Sequence, residues 1–322
     1  MNILCTGGAG FIGSHLCDYL IERGDRIAVI DDLSTGSLDN IAHHQANPAF
    51  EYVNDTILNE KIMERLVEGC DAIIHLAAAV GVKHVIKNPL SSIETNILGT
   101  EIVLRLANRY RKKVLIASTS EVYGKHMHSP LKEDDNIIYG PPSTMRWSYA
   151  AAKLLDEFTA LAYHRTKKLD AVIFRCFNTI GPRQTGLYGM VVPRFIQQAL
   201  RDEPLSVYGD GSQTRTFTYV GDVVEAIVRL LDCGTCAGEV VNIGGDEEIS
   251  IMELAEKIRE KTGSSSEIRL IPYEDAYGRD FEDMMRRVPS LEKLRSMIDF
   301  VPSTKLDEIL DITIEYFRSR SV

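Results

Sequence analysis

The feature that most constrains this 322-residue chain lies at its start, where MNILCTGGAGFIG sets a short apolar run directly before closely spaced glycines. Gly7, Gly10 and Gly13 follow a GxxGxxG spacing. Glycines so placed allow a tight turn, let the backbone approach a ligand, and let a helix pack closely on a strand. Asn2–Cys5 reads as a buried strand, and Phe11–Arg23 carries Phe11, Ile12, Leu16, Tyr19 and Leu20 at helical spacing. A strand, a glycine turn and a helix N-terminus together make a phosphate site, because the first N–H groups of a helix lack partners within it. A second strand, Arg26–Ile30, runs into Asp31, eighteen residues past Gly13. An acid at that distance accepts from adenosine ribose hydroxyls and repels a 2′-phosphate. Gly7–Gly13, with Phe11, Ile12, Asp31 and the adjoining Asp32, therefore predicts an NAD site rather than an NADP site.

Strand and helix patterns then alternate through Ala72–Leu76, Thr95–Tyr110, Val114–Ala117, Trp147–His164 and Ala171–Arg175. This alternation predicts βαβ units and an α/β doubly wound (Rossmann) parallel sheet, covered on both faces. Gly181-Pro182 breaks the pattern. Beyond it, helix signals recur at Val191–Leu200, Val223–Leu231, Ser250–Thr262, Ser290–Ile298 and Lys305–Ser319, with short strands near Leu205–Tyr208, Val240–Ile243 and Glu267–Ile271. The expected division is an NAD-binding domain over 1–178, with 216–238 packing back on it, and a smaller C-terminal α/β substrate-binding domain over 179–322.

Lys and Arg number 36 against 46 Asp and Glu, a net charge of −10. General nucleic-acid binding needs a basic footprint, so that class is excluded. No run of about 18 apolar residues occurs and no basic segment leads into an apolar one at the start, so the expectation is a cytoplasmic chain without a membrane span. Cys233-Gly-Thr-Cys236 has CxxC spacing. It has no second ligand pair and no helix N-terminus beside it, so no redox or metal role is assigned. His43-His44, His126 and His128 fall in polar loops without HxxE or HxxxH spacing, and no metal site is expected. His75 ends a buried strand and reads as a packed, satisfied residue.

Tyr149 and Lys153 stand four residues apart on the helix over Trp147–His164, one turn apart on one face. A phenol near pKa 10 is a poor base at neutral pH, but a lysine cation and an oxidised nicotinamide nearby would favour the phenolate. Ser118-Thr119-Ser120-Glu121 follows a strand at its C-terminal end, where open α/β sheets bind ligands. Thr119 would hydrogen-bond the hydroxyl that Tyr149 deprotonates.

On these residues the chain resembles the extended short-chain dehydrogenase/reductase family, the nucleotide-sugar epimerases, dehydratases and decarboxylases. The resemblance also rests on His75-Leu76-Ala77-Ala78, STSEVYG at Ser118–Gly124, Phe177-Asn178, Gly181-Pro182-Arg183, YGDGSQTRTFTYVGDV at Tyr208–Val223 and NIGG at Asn242–Gly245. It implies an NAD that oxidises the sugar C4 hydroxyl to a ketone. It places Asp55, Leu76, Ala77, Asn96 and Ser118 with Tyr149 and Lys153 around the cofactor, and Asn178, Val192, Tyr208 and Arg215 around the nucleotide sugar. Two stretches are similar to UDP-glucuronate decarboxylases, Gly140–Tyr149 with Arg146-Trp147, and Arg286-Arg287-Val288-Pro289-Ser290. That similarity implies Arg287 beside the sugar carboxylate, a role suited to the planar guanidinium. A surface pair at a helix entry is the other reading of Arg286 and Arg287. Lys83 is either a carboxylate or phosphate contact or a plain loop charge.

Glu121 suits chemistry at C5, so the expected reaction is decarboxylation of UDP-glucuronate. A 4-epimerase on a glucose or glucuronate is the alternative, followed by a 4,6-dehydratase, since QTGLYGMVVP at Gln184–Pro193 departs from the decarboxylases. Surplus apolar residues on the two long helices, with the resemblance, imply a homodimer through a four-helix bundle.

Overall fold

The computed structural model describes residues 1–320 except 82–84, 86–87, 127, 187–189 and 278–283. Lys83 and most of the stretch before Met284 thus lie outside the described residues. The strands in chain order are β1 (Asn2–Thr6), β2 (Arg26–Ile30), β3 (Phe50–Val53), β4 (Ala72–His75), β5 (Lys113–Thr119), β6 (Ala171–Cys176) and β7 (Thr179–Ile180). They continue with β8 (Leu205–Tyr208), β9 (Thr214–Thr216), β10 (Thr218–Tyr219), β11 (Val240–Ile243), β12 (Glu248–Ser250), β13 (Ile268–Ile271) and β14 (Arg286–Arg287).

Seven of them form one parallel sheet in the order β11-β6-β5-β4-β1-β2-β3. Its central strands are apolar runs buried on both faces, as a sheet between helix layers requires. One face packs on helices Phe11–Glu22 and Val220–Asp232 through Leu16, Leu20, Val224 and Ile227. The other packs on Glu60–Gly69, Pro89–Arg109 and Ser148–Lys167 through Met63, Val103, Leu104 and Ala160. The order reverses between β1 and β4, which opens a crevice at their carboxyl ends. A second core gathers Phe195, Ile196, Leu205, Val207, Leu254, Ile258, Ile309 and Leu310 beyond those ends.

Several elements differ from the sequence reading. β3 and the helix Glu60–Gly69 are additions to the sequence reading; FEYV is only half-buried, while the helix carries a visible stripe of Met63, Leu66 and Val67 under a charged outer face. Val240–Ile243 was expected among the strands of the C-terminal part. It pairs instead with β6 as the edge of the main sheet, Val240 opposite Ile173 through Ile243 opposite Cys176. The helix expected from Thr95 begins at Pro89, whose fixed φ suits a first turn. Cys233 and Cys236, given no role from their spacing, are joined as a disulfide just past Val220–Asp232. No helix among the described residues is long and apolar enough to cross a membrane.

Polar groups tie the sheet together beneath the crevice. Arg175 of β6 donates to both oxygens of Glu157, from Nε at 2.9 Å and Nη2 at 2.7 Å, and its guanidinium lies 4.7 Å from the Tyr123 ring. Tyr123 donates to Asn242 of β11 at 2.8 Å, and Ser118 of β5 donates to Glu157. Removing one member of a buried ion pair leaves the other charge uncompensated. Glu157→Ala is expected to cost about 3–5 kcal/mol in urea unfolding. Unchanged stability would show that Arg175 finds another partner.

Candidate active site

A cavity of about 630 Å³ opens over the carboxyl ends of the sheet and is lined from both halves of the chain. Its floor is the glycine turn. Gly7 has φ +75°, and a Cβ there would stand 2.8 Å from the Ala77 nitrogen. A Cβ on Gly13 would stand 2.2 Å from the Gly7 oxygen. Gly10 caps helix Phe11–Glu22 in extended conformation, and the first turn of that helix holds no acidic residue. Its N-terminus therefore faces the cavity beside Gly10, Phe11, Ile12 and Gly13.

Asp31 borders the same space. Its Oδ2 accepts from Ala9 N–H at 2.9 Å and its Oδ1 from Leu33 N–H at 2.9 Å. Burial raises its carboxyl above the usual range in spite of these donors. Gly36, passed over in the sequence, brings the following loop so close that a Cβ would lie 2.9 Å from the Ala9 oxygen. Asp32, Asp55, Leu76 and Ala77 also line the cavity. Asn96 does not. It is buried behind the wall, where its Oδ1 accepts from Ala79 N–H at 2.7 Å and its Nδ2 donates to the Ala79 oxygen at 3.3 Å, so it shapes the loop after β4. These features form a cradle that a Cβ would fill, with helix N–H donors at one end and an acid at the other, and they fit a dinucleotide.

The reactive end lies where β5 stops. Ser118, Thr119, Ser120, Glu121 and Tyr149 line the cavity together. Thr119 caps the short turn Ser120–Tyr123, its Oγ1 accepting from Glu121 N–H at 3.2 Å, which leaves its own hydroxyl proton to donate elsewhere. Burial raises the Tyr149 phenol well above its ordinary value, and the charge of Glu121 adds to this. Lys153 departs from expectation. It does not border the cavity, because Asp156, three residues on, accepts from its ammonium at 2.9 Å in a pair that is 3% and 2% exposed. The Lys-x-x-Asp spacing on one helix face was the signal that could have revealed this partner. His75, packed between Thr6 Oγ1 at 2.7 Å and Thr100 Oγ1 at 3.1 Å, is pushed down to about 3 by burial, with the charge of Lys153 adding to it.

Glu121 is the most strongly influenced carboxyl in the site. Arg146 Nη1 lies 2.5 Å from its Oε2, and Arg287 Nη1 3.6 Å from its Oε1. Burial alone would raise this carboxyl, but Arg146, Arg287 and Arg215 hold it down at about 2. Glu121 is thus a carboxylate at neutral pH, able to accept a proton or stabilise charge rather than donate. Strand alternation resolves the arginine pair. On β14, Arg286 points outward to a two-pronged pair with Glu248 at 2.7 Å for each contact, while Arg287 points into the cavity. Arg287 lies opposite Arg215 of β9 in parallel register.

The far end is formed by the second half. Asn178 Nδ2 donates to the Thr216 oxygen at 2.8 Å, and Val192 and Tyr208 line the wall. Arg194, not singled out in the sequence, lies 4.1 Å from the Tyr208 ring centre. Arg146 and Arg194, which line the cavity, and Asp156, which pairs with Lys153 behind it, are positions to which the sequence reading gave no role.

His43 and His44, read as loop residues, gather around one carboxylate. His43 and His44 Nε2 lie 2.7 and 2.6 Å from Asp18 Oδ1, brought together by helix Phe11–Glu22 and the loop after β2. Arg183 Nη1 stands 2.8 Å from the other oxygen of Asp18. The carboxylate is thus matched by a guanidinium, and the imidazoles sit at hydrogen-bond spacing from it.

The family described as GDP-mannose 4,6 dehydratase matches residues 4–313. The chain is 43% identical over 316 residues to the UDP-N-acetyl-alpha-D-glucosaminuronate decarboxylase of Bacillus cytotoxicus, covering 98% of this chain and 97% of that protein. It is 37% identical over 322 residues to UDP-glucuronic acid decarboxylase 2 of Arabidopsis thaliana, covering 99% of this chain and 69% of that one. The solved UDP-glucuronic acid 4-epimerase of Bacillus cereus, in complex with UDP-glucuronic acid and NAD, superposes with a TM-score of 0.90 at 30% identity, over 99% of this chain and 100% of that chain. DesIV of Streptomyces venezuelae, a dTDP-glucose 4,6-dehydratase with NAD and TYD bound, gives 0.90 at 31% identity, over 99% and 97%.

A doubly wound sheet, a glycine turn under a helix N-terminus and a Tyr/Lys helix beside Thr119 define a dehydrogenase of the short-chain type. Within that class, the chain belongs to the NAD-dependent nucleotide-sugar epimerases, dehydratases and decarboxylases. The glycine geometry yields a direct test. Gly13→Ala displaces the turn, and losing even one donor to a phosphate costs about 1.5 kcal/mol or more, so NAD affinity is expected to fall by at least about tenfold in calorimetric titration. Unchanged affinity would place the pyrophosphate elsewhere.

Proposed function

We propose that this enzyme decarboxylates UDP-glucuronate to a UDP-pentose or UDP-4-keto-pentose. The observation that carries the reading is the inward guanidinium of Arg287 beside Glu121, in register with Arg215. A uronate differs from a neutral hexose at C6 by a carboxylate, and a planar guanidinium in a buried wall recognises that group.

Gly7–Gly13, Asp31, Asp32, Asp55, Leu76 and Ala77 would hold NAD, which supplies acceptance and return of the C4 hydride when bound. Tyr149 takes the proton of the C4 hydroxyl while Thr119 donates a hydrogen bond to the same oxygen. For Tyr149 to act as base, its raised phenol must be lowered by positive charge brought to the site. The C4 ketone stands β to the C6 carboxylate. The C5–C6 bond breaks, its electron pair passes into the C4 oxygen as an enolate, carbon dioxide leaves, and C5 takes a proton. Glu121, already ionised, is not the source of that proton in its resting state. Arg287 holds the carboxylate before the break, and Arg215 with Asn178 holds the diphosphate end.

The B. cytotoxicus relative favours a second reading, in which the sugar is an N-acetylated uronate. Incubation of the holoenzyme with UDP-glucuronate and UDP-N-acetylglucosaminuronate separates the outcomes. Loss of the mass of carbon dioxide is expected. Unchanged mass with a new retention time means 4-epimerisation, and loss of water means dehydration; either result overturns the first reading.

The second copy of this chain is the proposed partner. Leu90 and Leu98 on Pro89–Arg109, and Leu155 and Phe158 on Ser148–Lys167, are exposed on helices that pack against each other, with Phe158 62% exposed. Pairing these helices with their copies in a four-helix bundle would cover them. Light scattering after size exclusion is expected to give a dimer, and Phe158→Glu a monomer. A monomeric parent protein at micromolar concentration rules the bundle out.

A further inference from the structure

We propose that Arg146 is a positioning residue, the fixed counter-ion of Glu121, which keeps that carboxylate in place while Arg287 exchanges Glu121 for the carboxylate of the sugar. The proposal rests on the reading that Arg287 meets a uronate carboxylate.

The two arginines approach Glu121 unequally. Arg146 stands at 2.5 Å and Arg287 at 3.6 Å, on opposite oxygens. Their supports differ as well. Arg146 lies in the short turn Met145–Trp147, which leads directly into the helix carrying Tyr149, and its side chain is 4% exposed. The neighbouring Trp147 is buried and stacks on Tyr139 with centroids 5.8 Å apart. Arg287 lies on a two-residue strand, and its further contact to Ser120 Oγ is long, at 3.4 Å.

Charge accounting points the same way. Among the described residues, the charged and titratable groups that act on Glu121 include Arg146 from the turn before the helix, Arg287 from β14, Arg215 from β9, and the phenols Tyr149 and Tyr139. Three guanidinium groups from three elements thus act on this one carboxylate in a nearly dry wall. An incoming uronate brings a carboxylate and a diphosphate to Arg287 and Arg215. Without Arg146, Glu121 and the sugar carboxylate would then compete for one guanidinium and repel each other.

The test compares the holoenzyme with Arg146→Met, Arg146→Lys, Glu121→Gln and the double variant Arg146→Met/Glu121→Gln. Acid unfolding needs no substrate. The Glu121 carboxyl sits below its ordinary value, so the stability it confers is complete above that ordinary value and is lost as pH falls toward about 2. Arg146→Met moves this window upward by roughly 1–3 pH units, the range over which one adjacent arginine shifts a carboxylate, and Arg146→Lys restores most of it. In the Glu121→Gln background the change at Arg146 leaves the acid window unmoved. With UDP-glucuronate, Arg146→Met lowers kcat and raises the acid limb of the kcat/KM profile with little change in KM.

Two results overturn the proposal. One is equal acid shifts from the Arg146 change in both backgrounds. The other is a rise in KM with kcat and the acid limb unchanged, which would make Arg146 a direct substrate contact. If the parent enzyme leaves UDP-glucuronate intact, the functional reading falls while acid unfolding still decides whether Arg146 governs Glu121.

Discussion

At the middle of the sheet β1 and β4 run side by side, and the backbone beyond them comes too close for a side chain. The Gly7 α-carbon faces the Ala77 nitrogen, and the Gly13 α-carbon faces the Gly7 carbonyl, across gaps that a methyl group would fill. This contact lets helix Phe11–Glu22 start directly over the strand ends, with its N-terminus turned to the crevice. It also fixes the loop after β4, which Asn96 braces from behind. Because the sheet is wholly parallel, β5 and β6 deliver Thr119 and Asn178 to the same edge. The reactive end and the dinucleotide cradle therefore share one cavity as a consequence of strand direction.

Charge is handled locally against an acidic background of −10. Behind the catalytic helix, Glu157 is matched by Arg175 and Lys153 by Asp156, since a buried ion without a partner is costly. In front, three arginines from three separate elements meet one carboxylate. The first arrangement holds the scaffold, while burial and the charge of Glu121 keep the Tyr149 phenol protonated. The second holds Glu121 ionised.

Much of this was legible in the chain. The glycine turn, Asp31 and the Tyr149 helix are local patterns, and each depends on residues within a turn or two of one another. Strand alternation could also have separated Arg286 from Arg287, once β14 was known to be a strand. Other features had no local signature. β3 is too short and half-buried to show a clean period, whereas Glu60–Gly69 carries Met63, Leu66 and Val67 at helical spacing and was legible. Val240–Ile243 looks like any short apolar strand, and its place beside β6 depends on a crossover of more than sixty residues. Asp18 meets His43 and His44 because a helix and a distant loop converge.

By itself the sequence determined the fold class, the glycine turn of the dinucleotide cradle and the candidates Thr119, Glu121 and Tyr149, because backbone sterics and short-range periodicity act over a few residues. Tertiary structure alone decided which charges meet. Arg146, Arg215 and Arg287 are far apart along the chain, yet they surround Glu121. Lys153 faces Asp156 rather than the cavity. Those pairings set protonation states, and protonation states decide which group can act. They are fixed by distance and desolvation in three dimensions, quantities that residue order does not carry.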